Sequence, residues 1–134
     1  MKTKILSVII LLLGVTTFFI EAQERDFFTL RAKRIVIVDA YKNVDSKLVD
    51  FPITLDLSRQ RCIIYSNETQ IIDFLVDRKY FKDGYYEVEG KATDSEYKNI
   101  SFNISVSTTG KNIVIITIGY SDLAYSYSCS LVTD

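Results

Sequence analysis

Apolar and polar residues alternate with a period of two along most of the chain. Phe51, Ile53, Leu55 and Leu57 are separated by Pro52, Thr54 and Asp56, and Ile72, Phe74 and Val76 by Asp73 and Leu75. Tyr86, Val88, Gly90 and Ala92 alternate with Glu87, Glu89 and Lys91, and Ile100, Phe102, Ile104 and Val106 with Ser101, Asn103 and Ser105. The last run sets Leu123, Tyr125, Tyr127, Cys129 and Leu131 against Ala124 and three serines. Successive strand side chains point to opposite faces, so each run predicts a strand with one buried face. Segments 35–38 and 113–118 are apolar on both faces and are expected to be central strands or to lie at a subunit contact.

Short turn-forming stretches separate the runs, with the clearest hairpin signals at Asp83-Gly84 and at Thr109-Gly110-Lys111. Residues 42–50 form the longest gap, where one helical turn would fit. Gly90 and Gly119, inside strand patterns, are expected to mark bulges or sharp bends. The count is about eight strands in sequential order. An all-β fold follows: a single antiparallel meander forming a closed or partly open barrel, lipocalin-like, or a two-sheet sandwich, with the barrel favoured.

The first 22 residues carry a different message. Lys2 and Lys4 precede an uncharged apolar run over 5–20, and Ala22 follows Glu21 as a small residue for cleavage. This is the pattern of a secretory signal peptide, so residues 23–134 are expected to form a single exported domain that does not span a membrane. In an oxidising compartment Cys62 and Cys129 are expected to form a disulfide, whose long loop would contribute about 4 kcal/mol. A barrel closed in sequence order would not make these cysteines neighbours, so a bridge favours flattened packing or another strand order.

Composition removes most catalytic chemistries. The chain has no histidine, five glycines and a formal net charge of −1. Histidine-based triads and common zinc sites are therefore absent, and no glycine spacing fits a nucleotide loop. No cofactor, metal site or catalytic residue is expected. The charge balance argues against nucleic acid, since the densest basic cluster (Arg25, Arg31, Lys33 and Arg34) is interleaved with Glu24 and Asp26. Paired carboxylates remain: Glu87 with Glu89, and Asp73 with Asp77. They would suit a carboxylate-based hydrolase only across a cleft, and otherwise read as the polar faces of amphipathic strands. Nine tyrosines and eight phenylalanines are the most suggestive feature. Tyr120, Tyr125 and Tyr127 gather on one predicted hairpin, and Tyr80, Phe81, Tyr85 and Tyr86 on another. Such groups serve either as cross-strand packing or as an adhesive rim.

The run ITLDLSRQRCIIYSNETQIIDF from Ile53 to Phe74 and the closing ITIGYSDLAYSYS resemble small exported proteins of Bacteroidetes-type bacteria. That resemblance implies the bacterial periplasm, cell surface or exterior, and carries no activity with it. The expected function is a non-enzymatic module that binds a protein or surface partner through loops or a sheet edge, one form being an inhibitor of an exported hydrolase. Loops 43–48 and 94–98 would hold its affinity. The alternative is a lipocalin-like carrier of a small apolar ligand, with a cavity beside Ala40, Gly90 and Ala92.

Overall fold

A computed structural model describes residues 27–96 and 98–132. The expected signal peptide lies outside these residues. Eight strands follow one another: β1 (Phe27–Asp39), β2 (Val44–Asp56), β3 (Arg61–Tyr65), β4 (Thr69–Lys82), β5 (Tyr85–Thr93), β6 (Asn99–Ser107), β7 (Val114–Gly119) and β8 (Leu123–Leu131). Each pairs antiparallel with the next, and β8 closes on β1, giving an eight-stranded meander barrel. The barrel, not the sandwich, is the fold.

The period-two pattern decides which side chains enter. Ile53, Ile64, Ile72, Ile104, Val106 and Ile116 are 0 % exposed, and the Phe74 and Phe102 rings stack at 4.5 Å between centroids. With no surface that a water molecule could reach, these side chains fill mid-barrel and leave no room there for a ligand. The segments apolar on both faces are covered on one side only. Ile35 is buried, whereas Val36 and Val38 point outward and stay half-exposed, because the wall is a single layer.

The turns follow their residues. Asp83 (φ 53°) and Gly84 (φ 80°) both adopt the left-handed conformation that a two-residue hairpin of the tight primed type requires. Residues 42–50 hold no helical turn: Asn43 closes a tight turn on the Asp39 carboxylate, and β2 starts at Val44.

One bulge falls opposite Gly90 rather than on it, and the other lies away from Gly119. They lie between Ala32 and Arg34 on β1 and between Val76 and Arg78 on β4. Gly90 pairs with Val76 at the second one, and a Cβ built on it would stand 1.9 Å from the Leu75 carbonyl oxygen. Its role is to let the bulged strand approach closely. Gly119 ends β7 without a bulge.

The expected disulfide is not formed. Cys62 on β3 and Cys129 on β8 are both buried free thiols, with β2 and β1 between their strands. Three strand spacings of about 4.8 Å separate them around the wall, whereas bridged Cα atoms lie only about 4.4–6.8 Å apart. Burial raises both thiol pKa values, that of Cys129 to about 12, and Cys129 adds to the rise at Cys62. We expect both thiols to resist iodoacetamide at pH 8 in the native protein and to react within minutes once it is unfolded. Intact mass should be the same with and without reductant; a loss of two hydrogens would mean the thiols had bridged.

One irregularity of the closed barrel positions the functional surface. The short strand β3 pairs only with Ile53–Asp56 of β2 and Thr69–Asp73 of β4. Among the described residues, positions 44–52 of β2 above it have no strand partner on that side, and neither do positions 75–82 of β4 below it. Two notches in the wall result, one at each end.

A candidate binding site at the barrel mouth

The turns over 40–43, 66–68, 94–98 and 120–122 gather at one end of the barrel, here the upper mouth, and Phe27 and Val132 lie at the other. The upper notch opens into a cleft of about 580 Å³. Its floor is apolar: Ile35 and Ile37 from β1, Val49 and Phe51 from β2, Tyr125 and Tyr127 from β8. Ser66, Asn67 and Gln70 of the β3–β4 hairpin form the facing wall. A second cleft of about 380 Å³ adjoins it through shared Gln70 and Tyr125, and is lined by Glu68, Asp94, Glu96, Asp122 and Tyr120. Volumes in this range suit side chains or small molecules.

Aromatic packing and local hydrogen bonds hold the mouth in shape. Tyr120 and Tyr125 meet edge to face at 6.1 Å, and Phe51 and Tyr127 at 5.9 Å. Asp94 accepts hydrogen bonds from the Glu96 amide (3.0 Å), the Lys98 amide (2.9 Å) and the Tyr120 hydroxyl (3.1 Å). Partial desolvation opposes ionisation of Asp94, but the bonds from Lys98, Tyr120 and Glu96 outweigh it and keep the carboxyl below its ordinary range. Desolvation first, and the bond to Asp94 second, push the Tyr120 hydroxyl up to about 12. Burial also raises Tyr127. Tyr120 and Tyr127 are therefore neutral hydroxyls at ordinary pH, suited to hydrogen bonding and contact rather than proton abstraction.

Asp50, at the shoulder of the larger cleft, accepts from Arg31 Nε at 2.6 Å and Lys33 Nζ at 3.2 Å. These bonds, Arg31 first, hold its pKa at about 2. A carboxyl depressed in the folded state adds stability above its unfolded pKa of about 3.9 and loses it as pH falls towards 2. The pair is exposed, so the effect on stability is small. Carboxyl-carbon NMR should place the Asp50 midpoint near pH 2, and Arg31→Ala should move it up towards the ordinary carboxylate range. An unmoved midpoint would show that Arg31 is not the cause.

Structure and sequence expectation meet unevenly here. Tyr120, Tyr125 and Tyr127 do converge, on the mouth. Loop 94–98 lines the smaller cleft, and residues 44–48 belong to β2 rather than to a loop. The second aromatic group lies at the lower end, where Phe81 packs on buried Tyr86 at 4.9 Å and Arg78 sits 4.6 Å over the Tyr80 ring. Of the positions expected beside a cavity, Ala40 is exposed in a turn, the Leu75 carbonyl occupies the space beside Gly90, and Ala92 is buried at the edge of an outer cleft.

Three of the four paired carboxylates are engaged on the outer wall. Glu89 pairs with Arg78 (2.7 Å), Asp73 with Arg61 (2.7 Å), and Glu87 accepts from Ser105 at 2.8 Å. Asp73 borders an outer cleft of about 390 Å³ shared with Phe74, Leu75 and Asn99. Among the described residues no group of three or more Cys, Asp or Glu is placed to hold a metal ion. No protein-family model, curated protein or solved structure matches the chain.

The sequence did not single out Ile35, Ile37, Val49 and Phe51 as one cleft floor. Segment 35–38, with apolar residues to spare, and the inward position of Phe51 in its alternating run were their signals.

Proposed function

We propose that this chain is an exported, non-enzymatic binding module that captures an extended segment of a partner protein at its upper mouth. The captured segment adds to the free edge of β2 over residues 44–51, continuing upward the line on which β3 stops. The single observation that carries this reading is the coincidence of a strand edge with no partner among the described residues and a cleft of apolar floor and polar rim directly beneath it. Strand addition takes affinity from main-chain hydrogen bonds and specificity from pockets for alternate side chains. Here alternate side chains of the guest would enter the cleft, and the others would lie outside beside Leu48 and Val44, which are 76 % and 66 % exposed. Pro52 lacks an amide hydrogen and ends the ladder at the bottom of the notch.

The carrier reading takes a narrower form. With mid-barrel filled, a small apolar molecule would sit at the mouth, where the larger cleft has the volume for one.

Capture from the exported fraction of the host, followed by hydrogen exchange on the complex, tests the proposal. Protection of backbone amides within 44–51 is the expected result. Protection confined to the lower end, or capture of a small molecule with no protein, would overturn it.

A further inference from the structure

We infer that two copies of this chain pair antiparallel through the free lower edges of β4, forming one continuous sheet across two barrels. This surface is separate from the upper mouth, and the inference stands independently of the proposed function.

The Phe74 amide donates to the Gln60 carbonyl at 2.9 Å, and beyond it no strand among the described residues pairs with the outer edge of β4. That edge exposes large apolar side chains: Leu75 is 64 % exposed and Phe81 60 %. Charges and bulges on an edge usually discourage pairing with other chains. On β4 the charges are ordered instead. Within the free segment Asp77 is the one acid and Arg78, Lys79 and Lys82 follow it, while Asp73 is already paired with Arg61 of β3. A parallel guest of the same sequence would set like charge against like, whereas an antiparallel copy sets acid against base. The edge therefore rejects most strands and accepts its own copy.

The bulge fixes the register. Phe74 and Val76 face inward before it, and Lys79 and Phe81 face inward after it, as their partners Ala92, Gly90, Val88 and Tyr86 show. Residues directly opposite in an antiparallel pair share a face. Face-matched pairing about a two-fold axis then sets Leu75 opposite Tyr80, Val76 opposite Lys79 and Asp77 opposite Arg78 of the second copy. The contact is isologous and closes at two chains. It points the two upper mouths in opposite directions and leaves both open.

Sedimentation equilibrium of the full exported chain tests the pairing. The wild-type chain is expected to be dimeric at about 100 μM, within the range of small interfaces. Asp77→Lys sets two lysines against two arginines, and Arg78→Asp sets two aspartates against two others, so each variant alone should be monomeric. Their equimolar mixture should recover the dimer, because every facing pair is again unlike. Circular dichroism and melting temperature establish that each variant is folded, and loss of the exposed Arg78–Glu89 ion pair should leave both nearly unchanged. A monomeric wild type, variants that remain dimeric, or a mixture that remains monomeric would each overturn the inference.

Discussion

Replacing Gly90 with alanine should destabilise the barrel by about 3 kcal/mol or more, the largest effect expected of any one-methyl change in this chain. The added Cβ would stand 1.9 Å from the Leu75 carbonyl oxygen and 2.8 Å from its carbon. Both are backbone atoms of the paired strand, so no side chain can rotate away to relieve the overlap. The strands must separate at the bulge between Val76 and Arg78 or the ladder between β4 and β5 must break. For a domain of this size the drop corresponds to a melting temperature lower by roughly 12–20 °C. Gly119→Ala is the natural comparison, because its Cβ would meet only the Ser101 hydroxyl, which can turn aside. Thermal denaturation of the two variants side by side checks the claim. Equal losses would mean that the tight approach at Gly90 is not what requires glycine.

The second large effect concerns binding rather than folding. Tyr125→Ala should weaken partner capture roughly 30-fold, about 2 kcal/mol, because Tyr125 lines both clefts and an aromatic anchor at an interface centre typically carries that much. Its contact with Tyr120 contributes about 0.5–1.5 kcal/mol to the fold, so the variant should remain folded and melt a few degrees lower. Tyr80→Ala, at the opposite end under Arg78, should leave capture unchanged. Isothermal titration or surface plasmon resonance with the captured partner reads both. Equal affinity in wild type and Tyr125→Ala would remove the mouth from consideration.

The barrel was legible in the sequence because its pattern is simple. Inward positions alternate within most strands from Ile53 to Leu131, the β4 bulge excepted, and Asp83-Gly84 supplies the positive φ values that a tight hairpin needs. The clefts were less legible, since they depend on where strands stop rather than on where they run. That β3 ends at Tyr65 while β2 continues up to Val44 is a fact of register, set by pairs such as Ile53 with Ile64 that no local pattern encodes. The bulge opposite Gly90 shows the same limit: glycine signalled a special place, but not which of the two strands carried the extra residue. The cysteines show it once more. Their inward-facing alternation was readable, and their separation by β2 and β1 became a distance only with the closure of β8 on β1.

The free β2 edge joins these observations to the proposed role. A short β3 exposes both the edge and the apolar floor below it, so one feature of the register produces both halves of the site. The proposal therefore makes a local demand: what binds must cover backbone, not merely side chains. Hydrogen exchange measured by NMR on the protein, with and without its captured partner, addresses that demand directly. Slowed exchange at alternate amides of residues 44–51, together with shifted Tyr125 and Tyr127 resonances, is the predicted result. Unchanged exchange along β2 in a saturated complex would contradict the account.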